Sequence, residues 1–306
     1  MSGWYPVWSE SRRSRGERGS VAVLVAAGLA ALAGLAALVV DAGRLYVTRA
    51  RLSAVADAAA LAGAPFLPDD PDGAVQTAAR YLEANGVPAA GAAIEVDAAR
   101  SRLRVALQAD EPLYLAPVLG YLRVTVPAEA VAARQVLSGA RGAVPLGVPE
   151  ATYTYGEQVT LKGDAGTGAI SPGNFRALAF EGRGASRYEE HLREGFRGWV
   201  RVGDVVETEP GVMSGPTRRA VEARIQADPD ATFRTVRPGS ARLVTVPIVS
   251  AFPNGRGEVT VVAFGVFFLE AVDGASVTGR FLRFVTTGEG SDSAPDYGAH
   301  VVRLVK

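Results

Sequence analysis

The sequence contains no cysteine and only two histidines among its 306 residues. Without cysteine, the chain has no disulfide bonds, iron–sulfur clusters, thiolate zinc sites or cysteine nucleophile. The histidines, His191 and His300, are far apart in the sequence and offer little for imidazole catalysis or metal binding. The composition therefore favours a protein that is not an enzyme and that holds no cofactor.

The sequence also has no net charge, because 32 lysines and arginines balance 32 aspartates and glutamates. A chain without net charge has no global field that would attract nucleic-acid phosphates. We therefore expect no nucleic-acid partner.

Charged residues are absent from one long segment near the N-terminus, residues 20–40. As an α-helix this segment spans about 31 Å, the thickness of the hydrocarbon core of a bilayer. Arginine is frequent before it, in residues 12–18, as is typical of the cytoplasmic side, but also after it, in residues 44–51. We predict a single-pass protein of the cell membrane that contacts the lipid bilayer through residues 20–40. Its N-terminus would be cytoplasmic and its C-terminal domain extracytoplasmic.

A cleaved secretory signal peptide is the alternative interpretation of this segment. Small residues lie near the end of the apolar run, at residues 33–37, where a signal peptidase could cut. The run is nevertheless longer than a signal core of about 7–15 residues, and it continues into another helical pattern. This comparison favours a retained anchor.

Small or apolar residues recur at helical spacing along residues 20–64. Within the span, alanine or glycine occurs every four residues, which lets another helix approach closely. Beyond the span, apolar residues recur seven positions apart and form one narrow face. An alanine-rich helix also produces such a stripe by chance. The predicted helix packing surface consists of Ala26, Ala30, Gly34, Leu45, Leu52 and Val55.

Three blocks of this region carry a resemblance to a known family. They are residues 18–22 (RGSVA), residues 41–46 (DAGRLY) and residues 56–64 (ADAAALAGA), with Leu52 between the last two. Together they resemble the N-terminal segment of TadE/TadG-like proteins of the tight adherence (Tad, or Flp) pilus-assembly system. The resemblance covers about residues 18–64 of the chain.

The resemblance implies a bacterial envelope protein that is anchored by one N-terminal helix and assists the assembly of an adhesive pilus. Its partners would be other pilus-assembly proteins, and no reaction is implied. Related pilins are cut after a glycine and usually carry glutamate five residues further on. Here Gly19 is followed at that distance by Leu24, which favours an unprocessed accessory protein over a pilin.

We predict an α+β fold with a long N-terminal transmembrane helix, a small α+β module and a mostly antiparallel β domain. Helices are predicted at residues 74–85, 113–121 and 216–227, and a central strand at residues 259–269, which are apolar on both faces. The predicted divisions are a cytoplasmic basic segment (1–19), a transmembrane helix continuing into an extracytoplasmic helix (20–64), a small α+β module (65–137), a Gly/Pro linker (138–151) and a β-rich extracytoplasmic domain (152–306).

The β-rich region contains one group of carboxylates that could bind a hard cation or act as acid and base. Glu207 and Glu209 share a face at strand spacing, whereas Asp204 does not. The spacing therefore does not require the three carboxylates to converge on one site. We favour solvated loop charges, and predict no metal site and no catalytic residue.

Two other patterns in this region are weaker. His191 follows Ser186 and Glu189, but nucleophilic triads are assembled from distant segments, which favours a surface helix histidine. Residues 163–168 have the glycine separation of a phosphate loop without its Lys and Ser/Thr, which favours a turn. A hydrolase or carbohydrate-binding β domain, anchored or secreted, remains the alternative to a role in pilus assembly.

Overall fold

One long helix, α1 (Glu17–Gly63), begins the computed structural model. The structure describes residues 17–97, 99, 101–114, 117, 120–162, 176–209, 211–253 and 255–305. The end of α1 at Gly63 lies one residue before the predicted end at residue 64. Shorter helices of the described residues are α2 (Pro71–Ala84), α3 (Ala185–Glu194) and α4 (Ser214–Ala227). α2 and α4 correspond to the helices predicted at residues 74–85 and 216–227.

The strands form two sheets. Their bounds are β1 (Ala93–Val96), β2 (Arg102–Pro112), β3 (Arg123–Ala140), β4 (Val148–Pro149), β5 (Gln158–Lys162), β6 (Leu178–Ala179), β7 (Val200–Arg201), β8 (Val205–Thr208), β9 (Leu243–Val249), β10 (Glu258–Asp273), β11 (Ser276–Leu282), β12 (Phe284–Val285), β13 (Glu289–Ser291) and β14 (Ala299–Leu304). The first sheet has the order β1-β2-β3-β14-β12, with β7 and β13 also paired to β3. The second has the order β4-β9-β10-β11-β5, with β8 on β10 and β6 on β8.

Most strand pairs are antiparallel, with β12–β14 and β4–β9 as parallel pairs among the described residues. The fold is therefore α+β, with a long N-terminal apolar helix followed by mostly antiparallel sheets, as the sequence predicts. β10 lies between β9 and β11, and its residues are buried on both sides. The predicted central strand at residues 259–269 is thereby confirmed.

Three apolar cores hold the layers together. In the first, the C-terminal half of α1 and the buried face of α2 pack on β2 and β3, with Leu52, Leu82 and Leu103 in the centre. A second core lies between the second sheet and the helices α3 and α4. The third joins the two sheets, where Leu137 and Val301 meet Phe264. The C-terminal strand β14 lies between β3 and β12 in the sheet on which α1 packs.

The region predicted as a Gly/Pro linker, residues 138–151, includes the end of β3 and strand β4. Val144, Leu146 and Val148 are fully buried, and the N–H of Val144 donates to Thr245 O at 2.9 Å. Glycine serves close packing here, because a Cβ at Gly147 would lie 2.8 Å from the ring of Phe252. The predicted boundary therefore falls inside shared core and sheet, and the division into domains remains a prediction.

Candidate functional site

The N-terminal half of α1 is an exposed apolar helix. All side chains from residue 20 to residue 40 are exposed, apart from the half-buried Ala37. Among the described residues, α1 is the one helix that is long and apolar enough to cross a membrane. A continuous apolar surface of this size is unfavourable in water and is typical of contact with lipid. The helix is thus suited to be a membrane anchor, in agreement with the predicted membrane location.

The second half of α1 lies along the hairpin formed by β2 and β3. From Asp41 to Gly63 the helix extends about 33 Å, and from Leu103 to Tyr114 an extended chain covers about 37 Å. Gly63 contacts Leu103 at one end, and Asp41 contacts Tyr114 at the other. Strand β2 therefore runs antiparallel to α1. The turn that follows β2 lies beside Asp41, at the C-terminal end of the apolar half of α1.

A polar contact joins the hairpin to α1 at this point. The buried carboxylate of Asp41 accepts a hydrogen bond from the N–H of Tyr114 at 2.9 Å. The Arg44 guanidinium lies 4.5 Å from the centre of the Tyr114 ring, and its Nη2 lies 3.5 Å from Glu111 Oε2. Asp41, the first charged residue after the apolar run, is therefore used to hold the hairpin against the helix.

The turn between β2 and β3, residues 113–122, is closed by a hydrogen bond from Leu113 N to Leu122 O at 3.0 Å. We call the described residues of this turn, 113, 114, 117 and 120–122, the hairpin tip. The sequence predicts a helix at residues 113–121, of which residues 115, 116, 118 and 119 lie outside the described residues. Leu113 and Tyr114 are not helical. The described side chains of Tyr114, Tyr121 and Leu122 are 59%, 66% and 69% exposed.

The predicted helix packing surface is split between two environments. Leu52 and Val55 are buried in the first core, with Leu45 at its edge. Ala26, Ala30 and Gly34 are exposed, and a Cβ at Gly34 would meet no atom within 4 Å. As a surface for another helix, the stripe within the span remains a prediction.

The three carboxylates near β8 each have a local partner. Asp204 Oδ2 accepts from the N–H of Arg201 at 2.7 Å, and Glu207 pairs with Arg183 at 2.9 Å. Glu209 is buried and accepts from the N–H of Gly184 at 3.1 Å. The described residues contain no group of His, Asp and Glu arranged for a metal ion. Glu209 is therefore a structural carboxylate rather than a solvated loop charge.

His191 lies in α3 and is half-buried. Its ring contacts Phe196 edge-on, with 5.0 Å between ring centres, and lies 6.5 Å from the Phe180 ring. The histidine therefore packs on aromatic rings instead of standing free on the surface. The glycine-rich segment at residues 163–168 lies outside the described residues.

A cluster of the buried Arg134 and His300 with two half-exposed carboxylates, Asp69 and Asp296, was not predicted. Arg134 Nη2 donates to His300 Nδ1 at 3.0 Å, because a guanidinium has only donors. His300 Nε2 then carries the hydrogen and lies 3.1 Å from Asp296 Oδ1. Burial lowers the pKa of Arg134, although Asp69 at 3.7 Å opposes this effect. The hydrogen bond from His300 lowers the pKa of Asp296.

Arg134, His300 and Asp296 line a pocket of about 440 Å³ on the first sheet, together with residues of the β1–β2 connection and Ser291 and Asp292. Arg134 and Asp69 are far from His300 in the sequence, so that spacing could not reveal their association, whereas Asp296 precedes His300 by only four residues. The one sequence feature that drew attention to His300 was the rarity of histidine, since the chain contains only two.

These features define an α+β protein with an N-terminal helix that can anchor it in a membrane. Residues 19–65 match the Tad family, described as Flp pilus-assembly TadE/G-like. The predicted resemblance to a TadE/G-like protein is thereby confirmed, over α1 and the two residues that follow it. No curated protein and no solved structure matches the chain. The Tad pilus-assembly family is not a known enzyme class.

Proposed function

We propose that the protein is a membrane-anchored accessory protein of Tad/Flp pilus assembly that acts by protein–protein contact in the bacterial envelope. One observation carries the proposal: the segment that is TadE/G-like, residues 19–65, is also the exposed apolar helix and its packed continuation. The anchor and the folded part are therefore joined by one continuous helix.

In this proposal the N-terminus is cytoplasmic, and the two sheets lie outside the cytoplasm. The polar contacts of Asp41 and Arg44 place the folded part directly after the apolar run. The partners would be other proteins of the pilus-assembly system. Ala26, Ala30 and Gly34 offer a smooth stripe to a neighbouring membrane helix.

A carbohydrate-binding function is supported by one pocket of about 410 Å³, which is lined by Tyr153, Tyr155 and Tyr297 with Asp296 at its edge. Sugar rings bind on exposed aromatic faces beside carboxylates. However, the Tyr153 ring already packs against Phe281, with 4.7 Å between ring centres, and Arg283 lies 4.9 Å from the centre of the Tyr155 ring. We therefore favour the assembly function.

Deletion of the chain from a piliated bacterium tests the proposal. We expect surface pili to be lost or reduced and to return with the wild-type chain. They should also return with His191→Ala, Asp204→Ala and Glu207→Ala, because no chemistry is required of these side chains. Piliation that survives the deletion would contradict the proposal. Loss of piliation in one stably folded variant would favour the enzyme alternative instead.

A further inference from the structure

We propose that the hairpin tip rests on the lipid surface beside α1 and gives the protein a second contact with the membrane. This inference rests on the proposed anchoring of α1 in the bilayer. In this proposal, the exposed side chains of Tyr114, Tyr121 and Leu122 contact lipid at the depth of the headgroups and the first acyl carbons.

The position of the tip is fixed by α1 itself. Asp41 directly follows the apolar run of residues 20–40, and its carboxylate holds the backbone of Tyr114 at 2.9 Å. A helix that spans the bilayer with this run brings Asp41 to the interface. The tip must then lie at the same level, because its backbone is bonded to that residue.

The chemistry of the tip fits the interface of a bilayer. Residues 113–122 contain no charged residue, and Tyr114, Tyr121 and Leu122 are among the most exposed large apolar side chains outside the span. Tyrosine is enriched where membrane meets water, since its ring is apolar and its hydroxyl remains hydrated. Tyr46 of α1 is also exposed and lies just beyond the span.

Charged residues limit how deep the tip enters. Glu111, near the end of β2, and Arg123, the first residue of β3, flank the tip, and Arg44 lies beside Glu111. Such groups are costly in the hydrocarbon core and remain in water or among headgroups. The tip therefore lies in the interface without crossing the bilayer. Its exposed residues number too few to span it.

Labelled single-cysteine variants of the full chain test this contact, and the natural absence of cysteine makes the labelling specific. Leu122→Cys carries a polarity-sensitive dye at the tip. Val205→Cys is the matched control, because its side chain is 62% exposed on β8 of the second sheet, whereas α1 packs on the first sheet. Leu35→Cys reports on the anchor. Each purified variant is reconstituted into vesicles of phosphatidylethanolamine and phosphatidylglycerol, after circular dichroism has shown an unchanged fold.

We expect the dye at position 122 to shift its emission to shorter wavelength and to be quenched by spin-labelled lipid. Aqueous iodide should quench it several-fold less than the dye at position 205. Iodide quenching at 122 equal to that at 205, with position 35 protected, overturns the proposal for the tip and leaves the anchor standing. Protection at 122 without quenching by the lipid label indicates a second copy of the chain and also overturns it. Exposure of position 35 to iodide overturns both the anchor and the tip.

Discussion

Gly63, the last residue of α1, lies directly against Leu103 of β2. A Cβ at position 63 would overlap Leu103 Cδ2 and would lie 2.6 Å from the carbonyl oxygen of Ala74. The crossing of α1 with the hairpin and α2 therefore requires a residue without a side chain. This contact fixes one end of the packed half of α1, and Asp41 fixes the other end, next to the apolar run of residues 20–40.

The first prediction is that Gly63→Ala destabilises the folded part by about 1–3 kcal/mol, as overpacking of a filled core does. Gly43→Ala is the matched control, because it also lies in α1 and a Cβ there would meet no atom within 4 Å. Alanine in a helix is favoured over glycine by up to about 1 kcal/mol, which should make Gly43→Ala neutral or stabilising. Denaturant unfolding in detergent, followed by circular dichroism, measures both. Equal effects of the two changes would contradict the close approach.

A second prediction concerns the packed face of α1. Leu52 is 6% exposed within the first core, whereas Val47 is 65% exposed on the same helix. Leu52→Ala should lower the free energy of unfolding by about 2–4 kcal/mol, because it removes buried apolar contacts and leaves a cavity. Val47→Ala should change it by no more than about 0.5 kcal/mol. The same unfolding measurement compares them, and a Leu52→Ala variant as stable as wild type would argue against this packing.

The ionic cluster around His300 predicts a loss of stability in acid. The hydrogen bond from His300, with the N–H of Gly298 and the charge of Arg134, holds the pKa of Asp296 below its ordinary value. A carboxylate of this kind stabilises the fold above its unfolded-state pKa of about 3.9, and the stabilisation is lost as the pH falls through the lower folded-state value. The free energy of unfolding should therefore decrease below about pH 4.

Asp296→Asn isolates this contribution. The variant should be less stable than wild type by about 1 kcal/mol at neutral pH, a modest cost because half of the side chain is exposed to screening solvent. It should also lose part of the acid dependence. Unfolding curves of both proteins at a series of pH values make the comparison. Parallel pH profiles would show that Asp296 does not provide the acid sensitivity.

Some of the fold and the site could be predicted from the sequence because the signals are local. An uncharged segment and a helical repeat suffice for α1, and apolar residues on both faces suffice for β10. The contact of Asp41 with Tyr114 joins residues 73 positions apart, and that of Arg134 with His300 joins residues 166 apart. No spacing rule reaches over such distances. Within residues 138–151, glycine serves close packing as well as turns, as Gly147 does against Phe252, so that such a segment alone does not mark a domain boundary.

A fourth prediction concerns processing. Gly19 is followed five residues later by Leu24, whereas pilin-like substrates usually carry glutamate there. Mass spectrometry of the native protein should therefore find residues 1–19 still attached, apart from loss of the initiator methionine. A chain that begins at Ser20 would contradict the accessory role and make the protein a pseudopilin.

The last prediction tests retention of the anchor. Leu35 lies near the end of the apolar run and is 61% exposed, so that an arginine there would point away from the packed interior of the protein. Leu35→Arg should oppose membrane insertion by about 3 kcal/mol and move the chain out of the membrane fraction after alkaline extraction.

Val205→Arg is the control, because it places the same charge on an exposed position of β8 and should leave the chain in the membrane. A cleaved signal peptide would instead release a soluble chain that begins near residues 38–44. Cleavage there would cut into the helix that carries Asp41 and Arg44, and would weaken the contacts that hold the hairpin tip. Since the packed half of α1 continues directly from these residues, we expect the wild-type chain to be recovered from membranes with residues 20–40 intact.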